Sequence, residues 1–210
     1  MKIRPYLSLD IETTGLDTRK SEILSIGMVL DDGVTPFDQL RRKEIFVKLS
    51  DYSHQEPEAL QMNKYLISRI VRNEVVTHTP REALELIRNE FNHAIDKTQR
   101  FDIDNDRRVS KSVTIAGKNV LSFDIPTLFH FFKRHVGPRQ ATFLENSHKD
   151  NLIAHRAIDI GSLYFSMYGY IPNSEELHTL LGETVAHQAL ADAEVVVKAV
   201  RRSFEGQIKK

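Results

Sequence analysis

With 210 residues, 40% of them apolar and 28% charged, the chain has the composition of a soluble globular protein, and we expect one domain spanning residues 1–210. Lys plus Arg and Asp plus Glu both number 29, so net charge does not indicate a nucleic-acid partner, which would need a local site. The absence of cysteine excludes disulfides and thiol nucleophiles. Neither a membrane-spanning run nor a signal-peptide pattern is present, so we expect a soluble, cytoplasmic protein without membrane contact.

Three strand patterns open the chain. Residues 5–10 alternate between apolar and polar, and residues 22–33 are rich in Ile, Leu, Met and Val before closing with Asp-Asp-Gly, a hairpin-turn signal. Residues 42–50 form the third pattern. The simplest arrangement of these segments is an antiparallel meander.

Helical patterns follow over residues 57–63, 64–73 and 79–96, the last behind a Thr79 cap with Pro80 in its first position. Residues 96–112 are polar without a period, which predicts an exposed loop.

The second half alternates strand and helix patterns. A buried strand is predicted to end at Gly117, with an apolar helix over residues 123–137 and a short strand over 154–160. Helices are predicted at 161–169, at 173–182 behind a Ser174 cap, and at 187–204. This order indicates a mixed α/β sheet with helices packed on it.

Two carboxylates, Asp10 and Glu12, stand two positions apart at the end of the first strand pattern and therefore share one face of the strand. One interpretation is structural: Asp10 caps the Thr-Thr-Gly turn and Glu12 is a solvated neighbour. The other is a site for Mg²⁺ or Mn²⁺, which prefer oxygen ligands and offset the repulsion between the carboxylates.

Further acidic candidates lie far along the chain. Asp124 follows a predicted strand and is either an ordinary helix N-cap, with Ser122 as its rival, or a ligand. His187 and Asp192 differ by about 140° of helical rotation, so they cannot share one helical face. We therefore expect His187 at or before the start of the last helix and Asp192 pointing inward from an early turn.

Taken together, the segments "DIETTG", "GKNVLSFDIPTL" and "HQALADAE" resemble, in order, the three motifs of the DEDDh family of DnaQ-like 3′-5′ exonucleases. The segment "PEALQMNK" also resembles the helix entry after the third strand of many members. The resemblance implies a ribonuclease H-like fold: a mixed five-stranded sheet, three strands antiparallel and then parallel ones, with helices on both faces.

The resemblance also implies the chemistry. Asp10, Glu12, Asp124 and Asp192 would hold two divalent cations, Mg²⁺ or Mn²⁺, and His187 would be the general base that deprotonates the attacking water. The implied reaction is hydrolysis of the terminal phosphodiester at a single-stranded 3′ end, which releases nucleoside 5′-monophosphates and serves DNA replication or repair.

Five further positions match residues that line the family's substrate cleft: Thr13, Gly15, Leu16, Asn119 and Phe123. Glycine permits close backbone approach, and an exposed leucine can wedge against a base. Leu16 and Phe123 are also consistent with packing in the core. Lys118 stands where many members of the family carry His, so no role is transferred to it.

Several alternatives stay open at this point. The substrate is DNA by preference, or RNA in an exoribonuclease resembling oligoribonuclease or RNase T, and a DNA polymerase is a further candidate partner. A non-catalytic polymerase-binding or RNA-binding module would be expected to lack a metal ligand, whereas all four carboxylates are present. Asp159 and His155 are expected to serve structure.

Overall fold

A computed structural model of the chain describes residues 2–48, 55–145, 151–183 and 187–208. The strands are β1 (Tyr6–Thr13), β2 (Ile23–Asp31), β3 (Arg41–Val47), β4 (Thr77–His78), β5 (Thr114–Gly117) and β6 (Ile158–Asp159). The helices are α1 (Pro57–Met62), α2 (Lys64–Val71), α3 (Pro80–Asp104), α4 (Asp124–His135), α5 (Pro138–Ala141), α6 (Ile160–Tyr168), α7 (Ser174–Leu181) and α8 (Ala189–Ile208). Among these residues no helix combines the length and apolar character that crossing a bilayer requires.

The six strands form one mixed sheet in the order β4-β3-β2-β1-β5-β6. β1, β2 and β3 pair in antiparallel fashion, whereas β5 pairs with β1, and β6 with β5, in parallel. The mixed α/β sheet is therefore confirmed, with one strand more than the five expected, because β4 adds two residues beside β3. A two-residue strand is too short to show a period. The strand expected over residues 154–160 shortens to β6.

Helices cover both faces of the sheet, as expected. Alternate residues of β1, among them Leu7 and Leu9, pack into a core with α3 and α4. On the other face Tyr6 packs with residues of α6, α7 and α8, and the Ser8 hydroxyl donates to the Ala193 carbonyl at 2.8 Å. Asp10 and Glu12 follow Tyr6 and Ser8 at the same period, so they face α8.

β1 is longer than its alternating pattern indicated. Antiparallel pairing continues through Ile11 opposite Ile26 and Glu12 opposite Ser25, so both carboxylates of the first motif lie within the strand. The hairpin expected after β2 is present, since β2 and β3 pair in antiparallel fashion, but its turn is not confined to Asp-Asp-Gly. Asp32 instead accepts hydrogen bonds from the backbone N–H groups of Val34 and Thr35, which begins a longer connection over residues 32–40.

α3 contradicts the first part of the loop that was predicted over residues 96–112, whereas residues 105–112 lie outside any helix or strand. Thr79 caps the start of the helix as expected and forms a capping box with Glu82, but the helix continues to Asp104. Asp102 is 1% exposed and accepts two hydrogen bonds of 2.8 Å from the Arg4 guanidinium. This distant bidentate pair stabilises the last turns, which lack a clear apolar period.

The starts of α7 and α4 differ from those predicted from the sequence, whereas the start of α8 agrees with its prediction. Asn173, not Ser174, caps α7, since its side chain accepts from the Glu176 N–H. Neither Asp124 nor Ser122 caps α4, whose N-cap position is Phe123 and carries no side-chain cap. α8 begins at Ala189, so His187 precedes the helix as expected.

Candidate active site

Three carboxylates from opposite ends of the chain meet at one place. Asp10 and Glu12 of β1 and Asp192 in the first turn of α8 each offer one oxygen, and these oxygens all lie within 4.8 Å of one another. Asp10 and Asp192 are partly exposed and Glu12 is buried. At such separations each pair of ionised carboxylates repels by about 3–4 kcal/mol for an effective dielectric constant of about 20. The cluster therefore requires protons or cations.

The start of α8 is held against the sheet by a glycine. Gly27 of β2 lies opposite Asp10, and a Cβ added to it would be 2.1 Å from the carbonyl carbon of Ala189. Glu44 of β3, opposite Gly27, accepts a hydrogen bond from the backbone N–H of Leu190. Together these contacts set the position from which Asp192 reaches the cluster. The sequence reading did not single out either residue.

Asp124 lies beside this cluster rather than within it. It is 4% exposed and is the first residue of α4. Backbone hydrogen bonds from Asp124 itself and from Ile11 stabilise its ionised form, but burial outweighs them and raises its pKa to about 8. Its charge in turn raises the pKa of Asp10. The fourth predicted ligand thus interacts electrostatically with the other carboxylates.

Burial raises the pKa of every carboxylate in the site, and repulsion from neighbouring carboxylates adds to this effect at Asp10, Glu12 and Asp124. Burial is the largest cause at each, and it brings the pKa of Glu12 to about 7 with a further contribution from Asp192. The pKa of Asp10 rises well above its usual range through burial and through Asp124, Asp192 and Glu12. Burial is also the largest cause of the raised pKa of Asp192. A set of partly buried, mutually repelling oxygen ligands fits hard divalent cations.

Asn63 orients Glu12 from the junction between α1 and α2. The side chain is 4% exposed, and its Nδ2 donates to the Thr13 carbonyl at 3.1 Å. A second hydrogen bond from the same side chain to Glu12 favours the ionised carboxylate and lowers its pKa against the effect of burial. Asn63 lies in the "PEALQMNK" segment that resembles the family's helix entry, but the sequence did not reveal its contact with Glu12.

Two histidines lie near Asp192. His187 is exposed and has a φ of 44°, two residues ahead of α8, and its charge lowers the pKa of Asp192 against the effect of burial. His178 of α7 is 4% exposed, and its Nε2 lies 3.0 Å from Asp192 Oδ1. The sequence reading missed His178 because helical periodicity does not identify a residue's partner on another helix.

The turn after β1 is held by Glu56. The Glu56 carboxylate accepts from the Leu16 backbone N–H at 3.0 Å, and the Thr13 hydroxyl donates to the Gly15 carbonyl at 2.7 Å. A Cβ on Gly15 would be 2.7 Å from the carboxyl group of Glu56. Leu16 is 75% exposed, which excludes the core interpretation for this residue and leaves an apolar side chain open to a ligand.

Asn119 and Phe123, the other two residues predicted to line the substrate cleft, both precede Asp124 in the chain. Asn119 is exposed with a left-handed φ of 58°, and its backbone N–H donates to Asp159 Oδ2 at 3.0 Å. Asp159 also caps α6 by accepting from the Ser162 N–H, which matches the structural role expected for it. Phe123 is partly buried and packs against the core under α4, so it serves the core at least in part.

Comparisons with known proteins address the fold. No family model and no curated protein matches the sequence. Among solved structures, the zinc-bound complex of E. coli exonuclease I with single-stranded DNA aligns with a TM-score of 0.64 at 15% identity, over 98% of this chain and 43% of that one. Exonuclease I from Methylocaldum szegediense aligns with a TM-score of 0.65 at 17% identity, over 99% and 42%.

A third structure, E. coli exonuclease I with a dT13 oligonucleotide, gives a TM-score of 0.66 at 15% identity, over 99% of this chain and 42% of that one. The chain thus spans less than half the length of these exonuclease chains. At such identities the likeness concerns the fold alone, and it confirms the predicted ribonuclease H-like α/β class.

Proposed function

We propose that this chain is a metal-dependent exonuclease of the DEDDh type that removes nucleotides from the 3′ end of single-stranded nucleic acid, with DNA as the preferred substrate. The observation that carries the proposal is the convergence of Asp10, Glu12 and Asp192 within 4.8 Å. The likeness in fold to exonuclease I, including complexes with single-stranded DNA, supports this reaction and substrate.

The residues that would hold the cations are Asp10, Glu12 and Asp192, with Asp124 beside them as a direct or water-mediated ligand. Two bound Mg²⁺ or Mn²⁺ ions would acidify a water molecule and offset negative charge on the phosphate and the leaving oxygen. The fit rests on the donor set: four carboxylates, none fully exposed, whose pKa values are all raised.

His187 is the proposed general base. Its exposed ring lies before α8 and close enough to influence the pKa of Asp192, so it can accept a proton from water at the cluster and pass it to solvent. A histidine buried in the core could not exchange the proton as readily. Its left-handed backbone sets it outside the helix, as the spacing to Asp192 requires.

The turn after β1 and the segment that precedes α4 would receive the terminal nucleotide. Leu16 offers an exposed apolar side chain, and the backbone around Gly15 is fixed by Thr13 and Glu56. Asn119, exposed beside the start of α4, is available to bind the strand. Such apolar contacts tolerate any base, which suits an enzyme that degrades strands without sequence preference.

The test is incubation of 5′-labelled single-stranded DNA and RNA with the protein in Mn²⁺, with and without EDTA. We expect a ladder of progressively shorter labelled strands, faster for DNA, which EDTA abolishes. Immediate release of a labelled mononucleotide would indicate the opposite polarity, and faster loss of RNA would favour the exoribonuclease alternative. Intact strands with wild-type protein in Mn²⁺ would contradict the proposal.

The variant His187→Ala tests the general base. Turnover should fall by about 10²–10⁴-fold while Mn²⁺ binding is retained. The matched control is His93→Ala, which removes a histidine from α3 on the opposite face of the sheet and should leave turnover unchanged. Unchanged turnover of His187→Ala between pH 6 and 9 would remove this residue from the mechanism.

A further inference from the structure

Asp192 has a buried neighbour that lies outside all three motifs. His178 of α7 places its Nε2 3.0 Å from Asp192 Oδ1, and only 4% of the histidine is exposed. That distance suits a polar contact between an imidazole and a carboxylate, although its geometry does not give Oδ1 a hydrogen bond. The partner of Asp192 is therefore supplied by a separate helix, and solvent does not compete for the contact.

The helix that carries His178 is fixed at both ends. At its start, Asn173 and Glu176 form a reciprocal capping box. At its end, Gly182 adopts a φ of 74° and closes the helix, and the following residue, Glu183, contacts Lys198 of α8 at 2.5 Å. A side chain on so constrained a helix can hold its partner in one orientation.

Asp192 needs such a restraint. Its carboxylate lies within 4.8 Å of two others, Asp10 and Glu12, and their mutual repulsion favours rotation of the Asp192 side chain away from the cluster. A buried imidazole in contact with one carboxylate oxygen opposes that rotation.

We propose that His178 is a positioning residue whose Nε2 restrains Asp192 at Oδ1 and so leaves the other oxygen of Asp192 for a divalent cation. The inference rests on the proposed function of the carboxylate cluster and deepens it. His178 acts through Asp192 and does not touch the substrate. Loss of an outer partner of a metal ligand typically weakens metal binding by about 10–100-fold.

The test compares His178→Ala, His178→Gln and the control Thr179→Ala. Glutamine can place an amide N–H near the position of Nε2, and Thr179 is the exposed neighbour whose hydroxyl donates to Glu175 within the same helix. Mn²⁺ affinity is measured by calorimetry without nucleic acid, melting temperature reports folding, and kcat and KM are then measured on single-stranded DNA.

We expect His178→Ala to bind Mn²⁺ at least 10-fold more weakly and to need correspondingly more Mn²⁺ for half-maximal hydrolysis, with KM for the strand changed less than threefold. His178→Gln should recover most of the affinity, and Thr179→Ala should match the wild type. Wild-type affinity in His178→Ala would overturn the inference. So would a His178→Gln protein that melts like the wild type yet binds as weakly as the alanine variant.

Failure of the proposed function is distinguishable from these outcomes. If the wild type binds Mn²⁺ but does not hydrolyse strands, the exonuclease proposal fails and the affinities of the variants still decide the role of His178. If the wild type does not bind Mn²⁺, both proposals are overturned.

Discussion

Glu12 makes the stability of the metal-free protein depend on pH in a direction opposite to that of an ordinary surface carboxylate. Its pKa rises from 4.5 to about 7 on folding, because of burial first and Asp192 second. The folded state therefore binds a proton that the unfolded state releases. The resulting stabilisation is fully present below pH 4.5 and is lost as the pH rises through about 7.

The two pKa values of Glu12 determine how much unfolding free energy the protein loses as the pH rises. Between pH 5.5 and pH 8.5 Glu12 alone should cost about 2 kcal/mol of unfolding free energy. That corresponds to a fall of about 4–8 °C in melting temperature for a chain of this size. The raised pKa values of Asp10 and Asp124 act in the same direction.

The assay is urea or thermal unfolding in EDTA at both pH values, with Glu12→Gln as the matched variant. The glutamine keeps the shape of the side chain but does not titrate, so its loss of stability across the range should be smaller by about 2 kcal/mol. Adding Mn²⁺ to the wild type at pH 8.5 should raise its melting temperature. Equal losses in the wild type and Glu12→Gln would refute the reasoning.

Three further changes are expected to separate catalysis from folding. Asp10→Ala or Asp192→Ala should abolish hydrolysis with an unchanged circular dichroism spectrum, since removing a ligand also relieves repulsion; full activity in Mg²⁺ would refute the assignment. Gly27→Ala should destabilise the protein by about 1–3 kcal/mol and weaken Mn²⁺ binding, because its Cβ would be 2.1 Å from the backbone of Ala189; calorimetry and melting with wild-type values would contradict this. Asn63→Ala should lower the unfolding free energy by about 1–3 kcal/mol and weaken Mn²⁺ binding, and unchanged values in the same assays would show that this amide does not orient its neighbours.

The sequence predicted the parts of the fold that follow from local pattern. The mixed sheet, the Thr79 cap of α3 and the position of His187 ahead of α8 are all present. Local pattern failed where a distant partner decides the structure. α3 continues to Asp104 because Arg4, 98 residues away in sequence, pairs with Asp102 in the segment expected to be a loop.

The residues of the candidate site likewise fall into those that the sequence predicted and those that it did not. Spacing on β1 placed Asp10 and Glu12 on one face, and the motif pattern placed Asp192 near them, as the structure shows. The residues that hold these carboxylates in place, Asn63 and His178, act across elements and leave no periodic signal. Motif spacing thus singles out the candidate ligands, whereas the contacts around them depend on tertiary packing.

The proposed function requires above all that the carboxylate cluster binds divalent cations. Crystals soaked in Mn²⁺ and measured near the manganese absorption edge would locate the ion directly. We predict an anomalous peak bounded by oxygens of Asp10, Glu12 and Asp192, at about 2.0–2.3 Å from each ligand atom as for other small hard cations. A map without a peak at these carboxylates in Mn²⁺-saturated crystals would contradict the account.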